Sequence, residues 1–164
     1  MTVDYAGLER AVPPSVLIAL DASVTLAYLT GSEPVSPAAA WIFDGCISTG
    51  RNPAVISTLT ATELLVRPFR AGDASSGTVE GFLRFFGALR LADVTYPIAR
   101  EAARIRAVTG LAVPDAVVIA TAIEHRADVV VTNDRRWPAT VDAPAGTLRV
   151  MRLGAFVSDE PPGT

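Results

Sequence analysis

The chain has 164 residues, half of them hydrophobic, which is enough for one domain with a full core and too short to argue for two. All 14 basic residues are arginine, with one histidine (His125) and one cysteine (Cys46), so lysine-dependent phosphate loops, Schiff bases and internal disulfides are excluded. No apolar run approaches the roughly 18 residues of a membrane span, and Asp4 and Glu9 stand where a signal peptide carries positive charge, so a soluble, unprocessed, cytoplasmic protein without membrane contact is expected.

Residues 1–15 precede the first strand signal and form an N-terminal extension without an assigned role. VLIAL (16–20) reads as a short apolar strand and ASVTLAYLT (22–30) as a helix stopped at Gly31. SPAAAWIFDGCISTG (36–50) reads as a helix with Ser36 as N-cap, Pro37 at the first helical position and Gly50 just past its end. AVIS (54–57) is a strand leading into the helix of TLTATELLV. ASSGTVEGFLRFFGAL (74–89) is a further helix, with Val79, Phe82, Leu83 and Phe86 on one stripe. LADVT (91–95) is a strand, PIAREAARIRAVTG (97–110) an amphipathic helix and VPDAVVIATAIEHR (113–126) a more apolar one, which makes His125 a helix-end residue. DVVVT (128–132) and LRVMRL (148–153) are the last strands, and a loose tail is expected over 154–164. Short, unbroken apolar strands alternating with helices predict an α/β domain over 16–153: a three-layer sandwich around a central, mainly parallel sheet.

In such sheets ligands bind beyond the carboxyl ends of the strands. Asp21 follows the first apolar strand and Asp134 follows VVVTN. Glu63 in TATELL and Asp115 in VPDAVV lie at helix starts. Each acid has an ordinary structural explanation. Asp21 could cap a helix, Glu63 could close a capping box with Thr60, Asp115 could gain from the helix dipole, and Asp134 could make an Asx turn. Four acids from separate segments converging on one sheet edge would instead need cations, and hard divalent ions with oxygen ligands are the natural partners. A carboxylate-only cluster of this kind suggests phosphoryl or phosphodiester chemistry with Mg²⁺ or Mn²⁺. Without the four acids the formal charge of -3 becomes +1 on the rest of the chain. Arg67 and Arg70 after Glu63, and Arg135 and Arg136 after Asp134, are candidate phosphate contacts.

The ordered set LDAS with Asp21, TATELL with Glu63, and VPDAVVIATAIEHRADVVVTND with Asp115 and Asp134 resembles the PIN-domain ribonucleases, and among them the VapC-type toxins of bacterial toxin–antitoxin pairs. The resemblance covers roughly Val16 to Leu153. It implies a PIN-like fold, an endoribonuclease that cuts RNA with Mg²⁺ or Mn²⁺, and an antitoxin that binds the toxin and blocks its site. It implies Asp21, Asp115 and Asp134 as the main metal ligands, Glu63 binding metal directly or through water, and Ser23 and Thr132 as supporting hydroxyls. The residues before the first strand depart from the compact family pattern.

Two rivals remain. DASVT imitates the D-x-D-x-T signature of haloacid-dehalogenase-like phosphatases, although Ser23 replaces the second aspartate and the chain has no lysine. A PIN-like scaffold that binds RNA or a partner without cutting is the other. Between Asp21 and Arg51 only Glu33 and Asp44 are charged, so the helix over 36–50 is apolar nearly all round. It reads either as a central core helix or as a groove for the antitoxin or a second subunit; the groove is the expectation, with a homodimer as the expected assembly.

Overall fold

Ile18, Ala19 and Leu20 alternate across a sheet that is covered on both faces: Ile18 and Leu20 enter one core, Ala19 the other. Ala54 and Ile56 join Val129 and Val131 in the first core, and Val55 and Val130 enter the second. These strands read as continuous apolar runs because neither face meets water.

In a computed structural model of the chain, which describes residues 1–158, the elements in order are β1 (Thr2–Val3), α1 (Tyr5–Ala11), β2 (Ile18–Leu20), α2 (Ala22–Thr30), α3 (Ser36–Ala40), a π-helical turn (Trp41–Ile47), β3 (Ala54–Ser57), α4 (Thr58–Ala71), α5 (Asp73–Phe85), β4 (Leu89–Ala92), α6 (Tyr96–Thr109), α7 (Val113–Glu124), β5 (Val129–Thr132), β6 (Thr140–Ala143), β7 (Gly146–Arg152), a 3-10 turn (Leu153–Phe156) and β8 (Val157–Ser158). Six strands form the main sheet in the order β4-β3-β2-β5-β7-β6. All neighbours are parallel except the β6–β7 pair. Helices α1 to α5 contribute to the core on one face, and α6 and α7 to the core on the other. The expected three-layer architecture is therefore the observed one.

The chain steps from β2 outward to β3 and β4, then returns to place β5 on the other side of β2. The strand order reverses at the β2/β5 junction, which opens a crevice at their carboxyl ends.

Several boundaries differ from the expectation, for local reasons. The helix starting at residue 36 is capped by Val35. The Ser36 hydroxyl instead accepts from the Glu33 amide at 3.0 Å and donates to the Ala27 carbonyl at 2.7 Å, tying α3 to the end of α2. The helix then widens, with the Ser48 amide donating to the Phe43 carbonyl. The helix drawn to Leu89 stops at Phe85, and Gly87 turns the chain at φ +49° against the Ile47 carbonyl, where a Cβ would stand 2.6 Å away. That lets β4 start at Leu89 rather than 91. Elements β1, α1, β6 and β8 were not anticipated, being short or without a clean apolar period. Of the tail expected over 154–164, residues up to Ser158 are structured, β8 pairing antiparallel with β1, and residues 159–164 lie outside the described residues. Leu8 and Val12, in and just after α1, are fully buried.

The groove reading of 36–50 is corrected. Ile42, Phe43, Cys46 and Ile47 are all fully buried within the chain, so these apolar positions belong to the core, and Trp41 is left partly exposed with the Arg51 guanidinium over its ring.

Candidate active site

Asp21 occupies the crevice because β2 ends there. Leu20 is in register with Val131 of β5, and the Asp21 amide donates to the Val131 carbonyl at 3.0 Å, which places the aspartate beside Thr132. Its Oδ1 accepts from the Ala22 amide at 2.7 Å. Its Oδ2 accepts from Ser23 Oγ at 2.6 Å and Thr132 Oγ1 at 2.8 Å. Both hydroxyls are used twice, since Ser23 Oγ accepts from the Asn133 amide and Thr132 Oγ1 from the Asp134 amide, each at 3.0 Å. One carboxylate thus fixes the path of the loop that carries a second.

That loop bends back on itself. Asp134 Oδ1 accepts from the Arg136 amide at 2.8 Å, an Asx turn, and the Arg136 guanidinium closes a fork on the same carboxylate, with Nε 3.0 and 2.9 Å from its two oxygens. Nη2 of Arg136 also approaches Asp115 Oδ2 at 3.9 Å. Asp115 stands in the first turn of α7, whose N-cap is Ala112 and which packs against β2 and β3.

Glu63 lies on α4, which packs against α2 and α7. Ser57 caps this helix by accepting from the Leu59 amide at 3.1 Å, so the capping box between Thr60 and Glu63 does not form. Thr60 Oγ1 is buried without a hydrogen-bond partner among the described residues. Glu63 is an exposed residue, yet its carboxyl is pushed up by partial burial and then by the charges of Asp21 and Asp115. The Asp115 carboxyl is likewise pushed up by burial first, then by Asp21 and Asp134, with Arg136 and the Trp137 indole working against the rise. Asp134 is held low, chiefly by the Arg136 hydrogen bonds. Glu63 and Asp115 thus feel the charge of neighbouring acids, although no three His, Cys, Asp or Glu side chains among the described residues stand close enough to enclose an ion.

The donor set nevertheless fits a hard divalent cation. It consists of carboxylate oxygens at the ends of two strands, in the first turn of α7 and in the second turn of α4, two of them raised by burial and then by neighbouring acids, and a guanidinium already drawn between two of the acids.

The arginines divide. Arg67, Arg70 and Arg135 are exposed and pair with no carboxylate among the described residues, whereas Arg136 is engaged by the acids themselves. That engagement was not legible in the sequence, because it depends on the turn made at Asp134. Trp137 was also missed. It is the largest fully buried side chain, and its Nε1 lies near enough to Asp115 to lower that carboxyl without meeting hydrogen-bond geometry.

A sequence profile of the PIN domain matches residues 18–142, which span all four acids. The chain belongs to the PIN domain family. No curated protein sequence matches it significantly. Solved structures of the same fold include DNA-bound VapBC from Salmonella typhimurium, with 20% identity and a TM-score of 0.60 over 85% of this chain and 98% of that one. VapC20 of Mycobacterium tuberculosis, a Sarcin-Ricin loop cleaving toxin, aligns at 16% identity and a TM-score of 0.55 over 70% of this chain and 86% of that one. FitAcB of Neisseria gonorrhoeae aligns at 22% identity and a TM-score of 0.54, over 72% of this chain and 87% of that one. This PIN domain shares its fold with all three.

Proposed function

We propose that this PIN domain is an endoribonuclease and the toxin of a toxin–antitoxin pair, hydrolysing RNA phosphodiester bonds in the cytoplasm at a site built from Asp21, Glu63, Asp115 and Asp134. The observation that carries the proposal is the meeting of acids from separate segments at one sheet edge, where Thr132 joins Asp21 to the loop of Asp134, Arg136 spans Asp134 and Asp115, and Glu63 feels the charges of Asp21 and Asp115. The kinship with a toxin described as cleaving the Sarcin-Ricin loop, and with toxin–antitoxin complexes, supports the substrate class and the partner. Bound Mg²⁺ or Mn²⁺ would supply a water of lowered pKa and charge neutralisation at the scissile phosphate. Asp21, Asp115 and Asp134 would hold it, with Glu63 binding directly or through water.

The chain's own contribution is orientation and charge. Ser23 and Thr132 fix the Asp21 carboxylate, so its free lone pairs point in one direction before anything binds. Glu63 and Asp115, raised by burial and then by neighbouring acids, would gain most from the charge of a bound cation. Arg67, Arg70 and Arg135, exposed and without a carboxylate partner among the described residues, would meet the phosphates of the strand, and an antitoxin would inhibit by covering this edge. The phosphatase alternative is less well supported, because Ser23, at the position of that family's general acid, spends its proton on Asp21 itself.

Purified protein free of any partner is expected to cut RNA with Mg²⁺ or Mn²⁺, to stop when a chelator is added, and to leave a small aryl phosphate untouched. Asp21→Asn and Asp115→Asn should each abolish cleavage while the protein stays folded. Cleavage that survives both substitutions overturns the proposal. Growth arrest on expression alone, relieved by co-expression of an adjacent small gene, tests the toxin half.

A further inference from the structure

The Asx turn at Asp134 returns Arg136 over the acids, while Arg135 next to it makes no ion pair among the described residues. The Arg136 side chain forks onto Asp134 and approaches Asp115 at 3.9 Å, although it is 74% exposed. A guanidinium held between two carboxylates, and free to move on its solvent side, occupies the place where a cation would be needed. We infer that Arg136 is the resident counter-ion of this site: it neutralises Asp134 and Asp115 in the metal-free protein, yields them when a divalent ion binds, and is thereby released toward an anionic substrate.

The inference rests on the proposed metal site, and it gives Arg136 a role distinct from that of the other exposed arginines. A guanidinium that must be displaced lowers metal affinity. One that is displaced only by metal contributes to nucleic-acid binding only when metal is present. Loss of a positive charge anywhere nearby would also raise metal affinity slightly, so Arg135→Gln, with the same charge change one residue away, is the control.

The test is calorimetric titration of Mn²⁺ into the full chain. Arg136→Gln is expected to bind Mn²⁺ roughly two- to tenfold more tightly than the parent, the range that one or two partly exposed ion pairs supply, with Arg135→Gln shifting it distinctly less. In a parallel titration with a 2′-O-methyl RNA oligonucleotide, which resists cleavage, Arg136→Gln should weaken binding with Mn²⁺ present and leave it unchanged without. An equal gain in Mn²⁺ affinity for both variants, no gain, or a loss of RNA affinity that is the same with and without metal overturns the inference while leaving the metal site standing. Absence of Mn²⁺ binding in the parent and in both variants overturns the metal site itself, and the inference with it.

Discussion

The Asp21 carboxylate is held at both oxygens, by the Ala22 amide on one and by the Ser23 and Thr132 hydroxyls on the other. Thr132 Oγ1 does a second job by accepting from the Asp134 amide. Thr132→Val keeps the shape and removes both interactions in a fully buried position. It is expected to cost about 1–3 kcal/mol in denaturant unfolding, the penalty for leaving buried polar partners unmet, and to lower cleavage because Asp21 loses a fixed orientation. An unchanged midpoint would contradict this account of the site. The raised carboxyls of Asp115 and Glu63 give a second prediction. The folded chain holds more protons than the unfolded one between the usual carboxylate range and the raised values, so these groups lower stability as pH rises through that window. Asp134 works with the opposite sign: held low by Arg136, its contribution is lost only as pH falls below the usual range. In protein without added metal these two groups should therefore cost stability as pH rises just above the usual carboxylate range, and Mg²⁺ should remove that cost. Thermal melts across pH test this, and Asp115→Asn should flatten the decline.

Among the elements, the π-helical turn Trp41–Ile47 gives the clearest energetic prediction. Phe43 is fully buried, stacked on Tyr28 at a centroid distance of 4.4 Å and in contact with Phe82 at 5.6 Å and Phe86 at 5.8 Å. Phe43→Ala should cost about 3–5 kcal/mol, read by chemical denaturation. The apolar strands and the α/β layering were legible because a parallel sheet covered on both sides leaves a continuous hydrophobic signature at each strand. The all-round hydrophobicity of 36–50 was equally legible, but its cover was not. A sequence records that a face is apolar and is silent on whether α5 or another chain buries it. Glu63 shows the same limit: T-x-x-E matches a helix start, yet Ser57 begins the helix three residues earlier and frees Glu63 from that role. Asp21 and Asp134 could be found because strand ends mark the crevice of an open sheet, whereas the Arg136 fork arises from a turn whose direction no spacing rule gives.

At the scale of the molecule, the reversal of strand order between β2 and β5 makes the site, since it sets two strand-end acids on neighbouring strands, with α7 packed on both strands and α4 packed on α2 and α7. Acid gathered at this edge leaves the remainder of the chain with a small positive balance, and the exposed Arg67, Arg70 and Arg135 add local attraction for a polyanion whose strength should fall with salt. Asp21, Glu63, Asp115 and Asp134 are proposed to form one divalent-cation site. The most direct measurement is anomalous diffraction from crystals of the whole chain grown with Mn²⁺. A manganese peak is expected in the crevice, with oxygens of at least two of the four carboxylates at about 2.0–2.3 Å and the Arg136 guanidinium withdrawn from Asp115. A crevice without a peak in crystals that hold manganese, or a peak bound by none of the four acids, would contradict it.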